Sequence, residues 1–170
     1  MKFSVLIVGA VSLFVAVGCK PRGKDISPLA RKEAANLVSE AEFATTMRDY
    51  ARAEPLYAKA VKLCPDVAEY WLALGADRCR LGDRSGAKSA YNEALSVYRD
   101  TYAREDSRTD ARLREVYVLA LLGRGPDAQK ALEKAQKKFP SDRAVRSFIE
   151  TRQLEQIQSD PSFKEIALQG

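Results

Sequence analysis

The chain repeats itself at an interval of 34 residues. Ala34 stands over Ala68, Leu37 over Trp71, Ala41 over Gly75, Asp49 over Asp83, Ala53 over Ala87, Tyr57 over Tyr91 and Ala60 over Ala94, with no gap. A unit of that length holds two helices and a turn. It cannot bury its apolar face alone, so successive copies must stack to make one continuous core. The period therefore predicts an all-α chain assembled from neighbouring helix pairs.

The second copy is the most regular. Trp71-Leu72-Ala73-Leu74-Gly75 opens its first helix, Gly82-Asp83 makes the turn, and Ala87, Tyr91 and Ala94 run down its second helix. Small Gly75 and Ala87 let the two helices approach closely, while Trp71 and Tyr91 fill the space between neighbouring pairs. Asp83 is placed to accept hydrogen bonds from the free amides at the start of the second helix. The first copy carries Asp49-Tyr50-Ala51-Arg52-Ala53-Glu54-Pro55-Leu56-Tyr57. Its first helix is expected to begin early, with Ser27 as cap and Pro28 at the first helical position. Pro55 removes one backbone bond and is expected to bend its helix slightly.

A third copy contains Val116, Leu119 and Ala120, then the turn Gly123-Arg124-Gly125-Pro126, then Ala128, Leu132 and Ala135 before Pro140. Its start falls at Thr109, so about seven residues are inserted relative to the strict period. Tyr91, Leu95, Tyr98 and Tyr102 continue one helical face through that insertion, which predicts roughly two extra turns on the second helix of copy two. Ser107 and Asp110 have the spacing of a capping box. Beyond Pro140, Ser141 is expected to cap an amphipathic helix carrying Val145, Phe148, Ile149 and Leu154, with a last helical turn docking through Phe163 and Ile166.

These strings resemble tetratricopeptide (TPR) repeats, over about residues 27–158. The resemblance implies an all-α TPR α-solenoid with three helix-turn-helix repeats, at about 34–67, 68–108 and 109–142, closed by a C-terminal capping helix and tail over 143–170. It also implies a concave working surface lined by one stripe of each first helix. Carried over residue by residue, that stripe is Val38, Glu42 and Thr45, then Leu72, Ala76, Cys79 and Arg80, then Leu113, Tyr117 and Leu121. The stripe is either open to a partner protein or covered by the C-terminal segment. Arg78 occupies a place where the TPR pattern usually has a buried apolar side chain. It either snorkels to the edge or pairs with an acid on the adjacent helix.

The N-terminus is of another character. Lys2 precedes an apolar run over 3–17 broken only by Ser4, Gly9 and Ser12. Spanning a bilayer takes roughly 20 apolar residues, so the run suits the core of a secretory signal better than an uncleaved anchor. It ends Val15-Ala16-Val17-Gly18-Cys19, which resembles a bacterial lipobox, with Ala16 where leucine is more usual. Ala16-Val17-Gly18 also meets the needs of ordinary signal peptidase. The resemblance implies removal of residues 1–18, diacylglycerol on the Cys19 thiol, and a tether over 19–26. Lys20 stands where the inner-membrane retention signal has aspartate, which points to the outer membrane, facing the periplasm. Removing residues 1–18 from the 170 leaves 152, one ordinary domain, and losing Lys2 takes the formal charge from +5 to +4.

The composition excludes much chemistry. The chain has no histidine, which rules out imidazole triads, imidazole metal ligands and histidine acid–base catalysis. Its carboxylates show no ligand spacing and no implied apolar pocket, and no glycine-rich phosphate loop occurs. Basic residues are interleaved with acids, without the exposed aromatics of a nucleic-acid reader. Of 3 cysteines, Cys64 and Cys79 can pair in an oxidising envelope. Yet Cys79 lies about 12 residues into the following helix, about 18 Å along it, against a tolerance of roughly 7 Å. Unpaired thiols are the expectation. No catalytic residue, metal or cofactor is expected, and neither is a nucleic-acid or small-molecule partner. The expected role is a membrane-anchored protein–protein scaffold or assembly adaptor in the bacterial cell envelope. Alternatives are a pilus- or secretion-type assembly lipoprotein, and a non-catalytic or regulatory subunit of an envelope enzyme.

Overall fold

The structure, a computed structural model, describes residues 25–168. The proposed signal segment, Cys19 and the tether up to Lys24 lie outside the described residues. Those described form an all-helical chain: Pro28–Thr46 (α1), Tyr50–Leu63 (α2), Ala68–Arg80 (α3), Arg84–Arg104 (α4), Thr109–Leu121 (α5), Gly125–Lys138 (α6), Arg143–Glu150 (α7), Gln153–Ser159 (α8) and Pro161–Ile166 (α9). From α1 to α6 each helix packs on its sequence neighbours. None of these helices is long and apolar enough to cross a membrane.

The helix ends repeat with the sequence. Asp49 caps α2 by accepting from Arg52 N at 3.2 Å, and Asp83, 34 residues on, caps α4 by accepting from Gly86 N at 2.8 Å. The chain leaves α1, α3 and α5 through a left-handed residue, Arg48 (φ 60°), Gly82 (φ 84°) and Gly123 (φ 71°). At each exit the next amide donates to the carbonyl five residues back: Asp49 to Ala44, Asp83 to Arg78 and Arg124 to Leu119, all at 2.8–2.9 Å. This is the Schellman closure, which satisfies carbonyls that a helix end otherwise strands. Two of the three exits use glycine, for which the conformation is unstrained. Arg48 holds it with a Cβ.

Ser27 accepts from Ala30 N and Pro28 sits in the first turn, so α1 starts where the sequence predicts. The insertion is the expected extension of α4, 21 residues against 14 in α2. Three local expectations are corrected. Ser107 and Asp110 do not form a capping box: Arg108 precedes α5 and holds Asp110 in an ion pair at 2.7 Å. The cap of α7 is Asp142, not Ser141; its carboxylate accepts from Val145 N at 3.0 Å. The single capping helix is broken, because Arg152 adopts φ 48° and turns the chain between α7 and α8. Val145, Phe148 and Ile149 follow helical spacing, but Leu154 is five residues on, and the turn is what brings it into the core. Ile26, which the expected tether included, packs against the N-terminal core.

Two apolar clusters fill the interior. One joins α1, α2 and the near side of α3 around Val38, Tyr57, Val61 and Leu74; the other runs from α3 to the tail around Tyr91, Tyr98, Val116, Leu119 and Phe148. Trp71 packs on both and couples them. Its indole N–H donates to Pro65 O at 3.0 Å, which fixes the ring across the seam. Arg78 pairs with Glu54 on α2 at 2.8 Å, the second of the two arrangements the sequence allows.

Candidate binding surface

The stripe predicted along α1, α3 and α5 does not form one uniform surface. On α1, Glu42 is exposed, Val38 is buried, and Thr45 is half-buried with its hydroxyl donating to the Asp77 carboxylate at 2.9 Å. On α3, Leu72, Ala76, Cys79 and Arg80 are half-buried. Asp77 lies among them at 1 % exposure. Burial pushes its carboxyl above the usual carboxylate range, against the opposing pull of Thr45 and Arg80. Arg80 donates to Asp77 at 3.3 Å and lies over the Tyr50 ring, 4.9 Å from its centre. Its Nε is buried without an acceptor among the described residues.

At α5 the chain itself occupies the stripe. The tail doubles back so that α9 packs on α3 and α8 packs on α5. Tyr117 meets Phe163 edge-on, with ring centres 5.7 Å apart. Tyr91 donates its hydroxyl proton to Ile166 O at 2.7 Å, and Leu168 N donates to Leu121 O at 2.7 Å. Leu121 is therefore 1 % exposed, and Leu113 and Tyr117 pack against the larger core. Leu121 is covered by the tail and Tyr117 rests against Phe163 at the cleft, while Leu113 is half-buried on the larger core. The physical reason is composition: Phe163, Ile166, Ala167 and Leu168 give the tail an apolar edge with nowhere else to go.

A cleft of about 390 Å³ remains where the tail meets the stripe, lined by Arg80, Tyr117, Gln153, Gln156, Ile157, Asp160, Ser162, Phe163 and Ile166. Tyr50 and Asp77 were not foreseen as part of this region, whereas a C-terminal segment over the stripe was one of the two arrangements the sequence left open. Asp77 carried a readable signal, as a carboxylate placed among the small and apolar residues of α3. The tail carried none that fixes its docking place, because Tyr91 and Ile166 are 75 positions apart.

Nothing in the stripe is arranged for covalent or acid–base work. Cys79 Sγ lies 3.9 Å from the Tyr91 hydroxyl, and burial first of all pushes its thiol up, away from the nucleophilic thiolate. Cys64 is buried, its thiol likewise pushed up by burial, and both cysteines are unpaired. No three Cys, Asp or Glu side chains converge among the described residues in a way that holds a metal ion. What the surface offers is shape, a few apolar side chains, one guanidinium and one exposed carboxylate. No protein-family model matches the chain, and no curated protein matches it.

Proposed function

We propose that this chain is a lipid-anchored TPR-type helical-repeat protein of the bacterial cell envelope, acting as a protein–protein interaction scaffold or assembly adaptor. The observation that carries the repeat reading is the recurrence of one local design at the sequence period. The same aspartate cap stands at Asp49 and Asp83, and the same left-handed exit at Arg48, Gly82 and Gly123. The lipobox-like end at Cys19 carries the anchor. The partner segment lies along the uncovered part of the stripe, across Glu42, Leu72, Ala76 and Arg80, and runs toward the cleft beside Tyr117. Arg80 faces an acidic group of that segment, and Leu72 an apolar one.

The test is site-specific photocrosslinking in intact envelopes, with the reactive side chain at Ala76 and, as control, at Ser89 on the exposed side of α4. A discrete adduct from Ala76 and none from Ser89 supports the reading. Adducts from Ser89 alone move the working surface to the outer faces of the second helices. The anchor is tested separately. Cys19→Ser should release the chain from membranes or stall its processing, and unchanged fractionation with no lipid mass on the wild type removes that part of the proposal.

A further inference from the structure

A second cavity, of about 300 Å³, lies away from the stripe, between α4, α5 and α6. Arg99, Arg112, Arg124, Lys130 and Lys134 line it against only two acids, Glu115 and Asp127. Both acids are already matched. Glu115 is 8 % exposed and accepts from Arg99 Nε and from the Tyr102 hydroxyl, each at 2.8 Å. Asp127 pairs with Arg124 at 2.7 Å. Three cations remain without a partner among the acids that line the cavity. Lys130 and Lys134, one turn apart on α6, make no ion pair with any described residue. Among the described residues, Arg112 pairs with Asp106 alone, which it shares with Lys138, and its Nε is buried without an acceptor.

The surplus charge is held in place. The Arg112 guanidinium lies 4.2 Å from the centre of the Tyr102 ring and 5.4 Å from that of Phe139, so it is fixed rather than free to swing into solvent. Leu119 and Ala131 line the cavity with no charge of their own. The field is felt locally: Asp127 is held below the usual carboxylate range, chiefly by its bond from Arg124 and further by the charges of Lys130 and Arg99. Clustered like charges repel, and a ligand with two negative charges removes that repulsion while accepting several charge-assisted bonds at once. A phosphate monoester carries about −1.5 to −2 at pH 7. A simple carboxylate carries half that and fills less of the space.

We propose that the cavity between α4, α5 and α6 binds a phosphate ester through Arg112, Lys130 and Lys134. This is independent of the stripe and of any protein partner. The phosphate chemistry is shared by soluble phosphoesters and by the headgroups of anionic phospholipids, and the test separates the two. The full chain in neutral detergent is titrated calorimetrically at low ionic strength with glycerol 3-phosphate, and then with micelles doped with phosphatidic acid or with phosphatidylcholine. Saturable 1:1 binding is expected, weakened at least tenfold by Lys130→Gln/Lys134→Gln. The control Lys59→Gln/Lys62→Gln on α2 should change it less than twofold. All four lysines are exposed, so both double variants should melt like the wild type. Binding of glycerol 3-phosphate identifies a soluble ester; binding confined to phosphatidic acid micelles identifies a headgroup. Absence of saturable binding in both arms overturns the site. So does an equal loss in the two double variants, which would mean diffuse attraction by net charge.

Discussion

Gly75→Ala exchanges a known gain against a close contact, and the structure decides the sign. Alanine is favoured over glycine in a helix interior by about 1 kcal/mol, and Gly75 lies well inside α3, so propensity alone predicts a more stable protein. A Cβ built there, however, comes to 2.6 Å from Tyr91 Cδ1 and 3.0 Å from its Cζ. The ring cannot step aside cheaply. It is fully buried, and its hydroxyl is committed to Ile166 O at 2.7 Å. Overpacking of this kind costs about 1–3 kcal/mol, and displacing the ring adds about 1 kcal/mol for the hydrogen bond to the tail. The net expectation is a loss of about 2 kcal/mol. At about 4 °C per kcal/mol for a domain of this size, the melting temperature followed by circular dichroism should fall by about 8 °C. The mechanism is checked by a cycle with Tyr91→Leu. In that background the ring is gone, so Gly75→Ala should cost little, and the two changes should be strongly non-additive. A Gly75→Ala variant that melts at or above the wild type, or an equal cost in both backgrounds, refutes the claim that Gly75 exists to admit the Tyr91 ring.

Arg48→Gly relieves the one left-handed exit among the three repeated turns that lacks glycine, and should stabilise the chain by about 1 kcal/mol; a lower melting temperature would show that the arginine side chain outweighs the strain. Tyr117→Ala should destabilise by about 2 kcal/mol, since it removes a half-buried ring and an edge contact with Phe163, and hydrogen exchange over 161–168 should quicken; a silent variant would mean the tail does not rest on Tyr117. Asp77 has a raised folded pKa, so the folded state binds its proton more readily than the unfolded chain does. Its contribution to stability therefore grows as pH falls through the carboxylate range. Relative to Asp77→Asn, the wild type should gain melting temperature from pH 7 toward pH 4; the opposite trend would mean that Arg80 and Thr45 outweigh burial.

The sequence was most legible where one residue fixes one local geometry. Ser27, Asp49 and Asp83 cap helices because a short acceptor at that place satisfies amides that otherwise go unpaired. Tyr91, Leu95, Tyr98 and Tyr102 marked the long α4 because aromatic and aliphatic spacing is a direct image of a buried face. It was least legible where neighbours compete. Ser141 and Asp142 both suit a helix start, and the carboxylate wins; its hold on Val145 N is visible in the lowered Asp142 carboxyl. Asp110 was free to cap α5 until Arg108 took it. The break at Arg152 was foreshadowed only by the five-residue step from Ile149 to Leu154. The docking of the tail on Tyr117 and Leu121 depends on contacts between distant parts of the chain, for which local spacing holds no information.

That covering changes what a partner must do. Across α5, a segment entering the stripe must first displace Phe163, Ala167 and Leu168, all buried, together with the bonds from Tyr91 to Ile166 and from Leu168 to Leu121. A displaced tail leaves the Tyr91 hydroxyl and the Leu121 carbonyl to be satisfied again, and an unmade buried hydrogen bond costs about 1–3 kcal/mol. Only a ligand that reproduces those bonds and refills the space beside Tyr117 offsets the loss. On α3, where α9 also packs, Leu72 and Arg80 are half-buried, and on α1 Glu42 is exposed. On the proposed function, a partner segment would meet Glu42, Leu72 and Arg80 first, and Gln153, Gln156 and Asp160 of the tail would frame the far end of its path. If Cys19 carries the anchor, the seven residues from Lys20 to Ile26 reach about 25 Å at most when extended, so the α1 end of that path is also the end held nearest the membrane.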